Sequence, residues 1–436
     1  MFDYSKKVIS VEEALRLVES GDNITVGLGA CEPQLFLRDL HTIADKVSDV
    51  RITNCLPLAK ADYMDPKNLE HAFLIDSWFY TVDLRRLHPS GRISYIPNHL
   101  HLAGKKRNDL RKANILICSA SMPEENGRFH LVCSNTYESV IAENADCIIL
   151  EISPNVPFSF GENYFEWDEV DYLIECDYSP CVLPSVATSD KDRIIGAFIA
   201  DLINDGDCVQ IGIGGIPNAV CELLRGKKDL GIHTEMISTG IMDLMKDGTV
   251  NGSQKQIDKG KAVCAFAMGS SELYRFMDHN PDILINPGHI VNDPYIIAKN
   301  DNQVSINTTV EIDLTGQCCS ESIGSRQISG TGGQSDTATG AQMSKNGRSI
   351  IALHSTATIK DADSGEKKEI SKIVPFLQPG AAVSLSRNDI HWVVTEFGAI
   401  NLRGMTVRER ASSLISIAHP VFRDELEVAA RSMLLL

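Results

Sequence analysis

Residues 21–29 read GDNITVGLG and residues 206–214 read GDCVQIGIG, an offset of 185 residues. Both copies share one grammar: a polar turn, a short strand and a glycine-rich turn. Ile24-Thr25-Val26 forms a strand running into Gly27-Leu28-Gly29. Cys208–Ile211 forms a strand running into Gly212-Ile213-Gly214-Gly215. A helix precedes each copy. Ser10-Val11-Glu12-Glu13 has capping-box spacing, Leu15 and Val18 continue an apolar face, and Gly21 supplies the stop. Asp192–Asn204 is amphipathic and closes at Asp205-Gly206. A helix also follows each copy, near Pro33 and from Pro217 through Leu224. A nine-residue match alone arises by chance. With matching helices on both sides it indicates an internal duplication of one α/β unit. The expected fold is therefore α/β, two similar open α/β domains at 1–185 and 186–436. The junction falls near Leu183–Ser189, where Pro184 and Ser185 favour a linker.

Further buried strands are expected at Ile115–Cys118, Cys147–Ile152, Ala262–Ala267, Ser349–Leu353 and Trp392–Thr395. These short apolar runs between helical patterns suit a mostly parallel sheet. The polar run KDADSGEKK at 360–368 is expected to be an exposed loop.

The 436 residues suffice for a full core and, at roughly 100–200 residues per domain, for two or three domains. A net charge of −17 argues against binding nucleic acid through the overall field, since a phosphate backbone needs a basic footprint. No apolar run approaches the ~20 residues that span a bilayer, so no membrane association is expected. MFDYSKKVIS at the start has no apolar core behind its lysines, so no secretory signal is expected. The 12 cysteines include no C-x-x-C pair, and Cys118, Cys147, Cys208 and Cys264 sit inside apolar runs. Together with the adjacent Cys318 and Cys319, they fit small core hydrophobes in a reducing, cytoplasmic compartment.

Several places carry chemistry. The turn at 212–215 lies between a strand and a helix, where amides and a helix N-terminus can hold an anion. Pro217 occupies the third glycine's place of a dinucleotide fingerprint, which argues against a dinucleotide site, and for a turn taken alone a tight packing turn is the favoured account. Glu235 lies in a strand-like GIHTEMI, where His233 and Glu235 share one face and Ile232, Thr234 and Met236 the other. A carboxylate at the end of a parallel strand can act as nucleophile or base; taken alone, a solvent-facing edge carboxylate is the simpler account. The glycine-rich loop Gly330–Asp336 can bring several amides to a ligand, or can be a flexible connection. His99 and His101 would share a strand face but lack partners at metal-ligand spacing. Lys105, Lys106, Arg107, Arg111 and Lys112 form the one dense basic cluster, best explained as a solvated helix face. No G-x-S-x-G elbow supports a serine hydrolase.

Taken together the chain resembles the class I CoA-transferases, in the branch holding 4-hydroxybutyrate CoA-transferase and the acetyl-CoA hydrolase/transferases. The resemblance runs through QIGIGGIPNAV at 210–220, LGIHTEMIS at 230–238, SQKQIDKGK at 253–261, SGTGGQSD at 329–336, SKIVPF at 371–376, VVTEFG at 393–398 and IAHPVFRDEL at 417–426. It implies a nucleophilic carboxylate at Glu235 that passes through a glutamyl-CoA thioester. It implies CoA-binding and oxyanion roles for Gly212, Ile213, Gly214, Gly215 and Ile216, a catalytic and CoA contact at Gly333, a channel position at Val310, and substrate contacts at Asn292 and Glu396. No metal and no permanently bound cofactor are implied; coenzyme A enters as substrate. The implied partners are an acyl-CoA and a short-chain carboxylate, with acetyl-CoA and 4-hydroxybutyrate first and butyryl-CoA with acetate second, in a homo-oligomer.

The resemblance has departures. Asp293 stands where the family often has His, and Thr337 where it has Phe. Thr358 takes the place of a lysine that touches CoA, with Lys360 as a substitute nearby. Two rivals keep the same residues or set them aside: an acetyl-CoA hydrolase, in which water intercepts the thioester, and a non-catalytic module binding CoA or a sugar phosphate.

Overall fold

The structure is a computed structural model describing residues 2–59, 61–360 and 365–436. Seven strands form the first sheet: β1 Asn23–Val26, β2 Val50–Asn54, β3 Phe73–Ser77, β4 Ile93–Tyr95, β5 Ile115–Ser121, β6 Cys147–Ser153 and β7 Tyr172–Glu175. Their order is β4-β3-β2-β1-β5-β6-β7, and every ladder is parallel. Eight strands form the second: β8 Cys208–Ile211, β9 Gly231–Ile237, β10 Ala262–Ala267, β11 Ile283–Ile285, β12 Gln303–Thr308, β13 Arg348–Ala352, β14 Trp392–Thr395 and β15 Gly398–Asn401. Their order is β11-β10-β9-β8-β12-β13-β14-β15. The ladders β9-β8-β12-β13-β14 and β10-β11 run parallel, and β15 turns back antiparallel on β14. Leaving β15 aside, the two sheets have the same strand order, as a duplicated unit requires.

The chain divides into two compact units. One contains residues 1–185, 234–242 and 261–293, and the other 186–233, 243–260 and 294–436. The expected junction at 185/186 is thus the first of several crossings between units. The returning segments belong to the first unit because Met236, Val263, Ala265, Phe266, Met268 and Val291 enter its apolar cluster.

In the first unit the strand period shows directly in the packing. Ile115 and Ile117 enter one buried cluster with Ile24, Ile52 and Ile75, while Leu116 and Cys118 enter another with Leu28, Leu150 and Phe129. A sheet covered on both faces loses the polar alternation of an exposed strand, and β5 is buried at all seven positions. In the second unit, Ile312, Ile351, Leu353, Val393, Leu402 and Leu414 form a further buried cluster.

Local signals hold with shifts at their ends. Ser10 and Glu13 cap helix α1 (Val11–Leu15) reciprocally, though the helix ends six residues before Gly21. Helix α2 (Gln34–Asp39) begins after Pro33, α3 (Asp190–Asp201) is capped by Ser189, and α4 starts at Gly215 rather than at Pro217 and runs to Leu224. His99 caps the 3₁₀ turn Leu100–Leu102 and His101 lies within it, so neither is on a strand; their rings stack 6.1 Å apart. The polar stretch expected as a loop is framed by an antiparallel hairpin, Thr356–Lys360 with Lys367–Ser371, and residues 361–364 lie outside those described. Its cross-strand pairs include Thr358 with Glu369 on one face and Ala357 with Ile370 on the other. All twelve cysteines are free. No helix among the described residues is long and apolar enough to cross a membrane.

The basic cluster splits. Lys105 and Lys106 are exposed, whereas Arg107 turns inward and donates to Thr53 Oγ1 at 2.7 Å and Asp76 Oδ2 at 2.8 Å. Arg51 holds the other Asp76 oxygen at 2.9 Å. Removing one partner of such a pair leaves a buried charge uncompensated.

Three buried glutamates secure the chain that leaves β1. Glu138 accepts from Leu28 N at 2.9 Å, and Glu151 from Leu35 N and Phe36 N at 3.0 and 2.6 Å. Glu32 Oε2 accepts from Leu58 N and Ala59 N at 2.7 and 2.9 Å. Burial pushes Glu32 up to about 8 and Glu151 to about 7, against the amide and hydroxyl donors that favour the carboxylate.

Asp76→Ala is expected to cost about 3–5 kcal/mol by stranding Arg107, read as a lower denaturation midpoint; an unchanged midpoint contradicts this. The Glu32 proton is held in the folded chain to higher pH than in the unfolded chain. Its contribution is complete below the ordinary value of 4.5 and is lost as pH rises towards about 8. Glu32→Gln, always neutral, is therefore expected to gain thermal stability over the parent at pH 8 relative to pH 5. A difference that does not change with pH is the contrary result.

Candidate active site

Strand β9 is internal to its sheet, so the simple account of Glu235 as an edge carboxylate does not hold. The alternation along it is as expected. Ile232, Thr234 and Met236 are buried on one face, His233 is buried on the other, and Glu235 is half-buried near the carboxyl end. Within the first unit, Asn292 meets this carboxylate. It is fully buried, caps the short helix Gly288–Val291, and donates from Nδ2 to Glu235 Oε2 at 3.2 Å. Gly288 sets the approach. Its amide donates to Asn135 O, and an added Cβ would lie 2.3 Å from Thr136 O. Cys55, just beyond β2, is also close enough to feel Glu235. Burial first, then the charges of Glu235 and Glu138, push its thiol well above the ordinary range.

The remaining candidates lie in the second unit. At the turn after β8, Gly214 takes φ +118° and Ile213 is exposed, whereas Ile216 is buried. Gly215 is required for space. An added Cβ would come 2.5 Å from Asp192 Oδ2. The Asp192 carboxylate, at the start of α4, accepts from Ser189 N and Oγ and pairs with His354 Nε2 at 2.8 Å. Burial opposes its charge, but the bonds from Ser189 and His354 hold it below the usual carboxylate value. Neither Asp192 nor His354 stood out in the sequence. The S-x-x-D spacing of the Ser189 capping box marked the first, and nothing local marked the second.

Glu396 lies beside this group. It accepts from Ser355 N and Oγ, both at 2.8 Å, and from Lys191 Nζ at 3.1 Å. Lys372 donates to Thr309 O at 3.3 Å, next to the half-buried Val310. Burial lowers Lys372 to about 8, while the charges of Glu396 and Glu311 oppose that fall. Gly333 is buried at the N-cap of helix α5 (Gln334–Met343), behind Gly332 at φ +54°. Thr337, in that helix, receives Asn307 Nδ2 at 3.1 Å. Thr358 and Lys360 are exposed on the hairpin.

The structure thus joins Glu235 to Asn292 in one unit. In the other it joins the Gly212–Ile216 turn to Asp192 and, through His354 and Ser355, to Glu396. A half-buried carboxylate held by an amide donor at a strand end can attack an electrophilic carbonyl, with amide N–H groups for the charge that develops. Among the described residues no group of three or more His, Cys, Asp or Glu side chains is placed to hold a metal ion.

The N-terminal domain of acetyl-CoA hydrolase/transferase matches residues 2–183, and the C-terminal domain of the same family matches residues 269–430. The succinyl-CoA:cyclohexane-1-carboxylate CoA transferase of Geobacter metallireducens is 41% identical over 99% of this chain and 96% of its own. The 4-hydroxybutyrate coenzyme A transferase of Clostridium kluyveri is 37% identical over 97% of each. The crystal structure of RipA from Yersinia pestis superposes with a TM-score of 0.90 at 36% identity, covering 99% of both chains. The chain belongs to the acetyl-CoA hydrolase/transferase family and is an enzyme of the CoA-transferase kind.

Proposed function

We propose that the chain moves CoA between a short-chain acyl-CoA and a free carboxylate through Glu235, with acetyl-CoA and 4-hydroxybutyrate as the preferred pair. The observation that carries this is the carboxylate of Glu235 at the end of an internal strand, met by the buried amide of Asn292. The substrate pair rests on similarity to the Clostridium kluyveri transferase; butyryl-CoA with acetate is the second pair.

The chemistry needs no external proton or electron. A Glu235 oxygen attacks the thioester carbonyl, the C–S bond breaks, and an acyl-glutamyl anhydride and CoA thiolate result. The thiolate then attacks the glutamyl carbonyl. That expels the first carboxylate and leaves a glutamyl-CoA thioester. A second carboxylate attacks this thioester, the thiolate leaves, and a new anhydride forms. The thiolate attacks the acyl carbonyl of that anhydride, releasing the new acyl-CoA and restoring Glu235. Each attack places charge on a carbonyl oxygen, which is where the Asn292 amide has its use. A carboxylate is a weak nucleophile, so orientation and binding energy from the CoA moiety supply much of the acceleration.

Acetyl-CoA consumption is measured with and without 4-hydroxybutyrate. Acceptor-dependent turnover is expected, and Glu235→Gln is expected to lower it by about 10⁴-fold or more, the scale seen when a nucleophile is removed. Equal consumption without acceptor identifies a hydrolase. Unchanged turnover in Glu235→Gln removes the nucleophile assignment.

A further inference from the structure

All three buried glutamates around β1 tie together segments distant in sequence. Glu138 bonds Ser134 and Tyr137 as well as Leu28, and Glu151 bonds Tyr178 as well as the start of α2. Glu32, on the chain that leaves β1, ties it to the segment that leaves β2. Its carboxylate reaches that segment, Cys55–Ala59, through Leu58 N and Ala59 N. Its own backbone is fixed in turn, because Ser119 Oγ donates to Glu32 O at 2.6 Å.

The position of that segment follows from strand register. Asn23 pairs with Arg51 in the first copy, and Cys208 pairs with Gly231 in the second. Counting four residues on from each partner places Cys55 where the second copy has Glu235. Within the first unit the two also lie near each other. Met268 N donates to Ile237 O at 3.1 Å, two residues beyond Glu235. The Met268 sulfur lies 2.7 Å from where a Cβ on Gly29 would be, and Leu58 Cδ1 lies 4.0 Å from the same point. Cys55, Leu56, Leu58, Met236 and Met268 share one apolar cluster. The effect of the Glu235 charge on the Cys55 thiol agrees with this proximity.

An acyl group in transfer is bonded to the carbonyl that Glu235 attacks, so its tail lies against whatever stands beside that carboxylate. Cys55-Leu56-Pro57-Leu58-Ala59 offers sulfur and hydrocarbon and no charged side chain. We propose that Glu32 is a positioning residue of the acyl subsite: by clamping Leu58 N and Ala59 N it holds Cys55–Ala59 beside Glu235, and the subsite takes the apolar tail of a monocarboxylate. This rests on the transferase reading above.

The test is steady-state kinetics with acetyl-CoA as donor and acetate, propionate, butyrate and valerate as acceptors. The parent is compared with Glu32→Ala, Glu32→Asp and Glu32→Gln. Asp keeps the carboxyl group but is one methylene too short to reach both N–H groups. Gln can accept both on its amide oxygen. In the Ala and Asp variants the butyrate-to-acetate ratio of kcat/KM is expected to fall about tenfold, through KM, the scale of a lost apolar contact. The Gln variant is expected to keep the parental ratio. A loss shared equally by all four acids, or no loss, overturns the proposal; if the Ala variant does not fold, the Asp variant decides. A parent with no acceptor-dependent turnover removes the transferase reading itself, which is a different outcome from an unchanged ratio.

Discussion

A carboxylate at the end of a buried parallel strand has lost most of its water, and something in the protein must answer its charge. Glu235 is in that position, and the buried amide of Asn292 answers it at 3.2 Å. Much else in the first unit bears on that contact. Gly288 lets the Asn292 segment lie against Thr136, and Asn135 O receives its amide.

The two copies have diverged at the same point of the fold. The register that places Glu235 in the second places Cys55 in the first. One copy places a carboxylate there, and the other places a small apolar side chain followed by Leu56, Pro57 and Leu58. The buried glutamates of the first copy act on backbone amides rather than on substrate. They do so at a cost in desolvation that raises Glu32 and Glu151 towards neutrality. In the second copy Asp192, bonded to Ser189 and His354, fills the space a Gly215 side chain would need.

Much of the fold was legible because both sheets are buried on two faces. Such strands are short continuous apolar runs, and 115–118, 147–152, 262–267 and 392–395 stood out for that reason. The duplication was legible in nine residues and is matched by the strand order. The hairpin around 356–371 was not legible, because its strands are largely exposed and each mixes charged, polar and apolar residues. Arg107 was hidden in a run of surface cations, since its partner Asp76 is distant in sequence. The clamps of Glu32, Glu138 and Glu151 leave no local pattern, because their partners are amides, which every residue carries. Glu235 itself was marked by strand alternation, but alternation does not distinguish an edge from an internal strand. Only the sheet order does that.

The central claim is that Glu235 carries CoA covalently between two acids. Intact-protein mass spectrometry after incubation with acetyl-CoA, followed by borohydride and peptide mapping, tests it most directly. The account predicts an added mass equal to a CoA thioester, lost on reduction, with the reduced residue mapped to Glu235. A chain that binds CoA and turns over acyl-CoA with no adduct, or with the adduct on another residue, contradicts it.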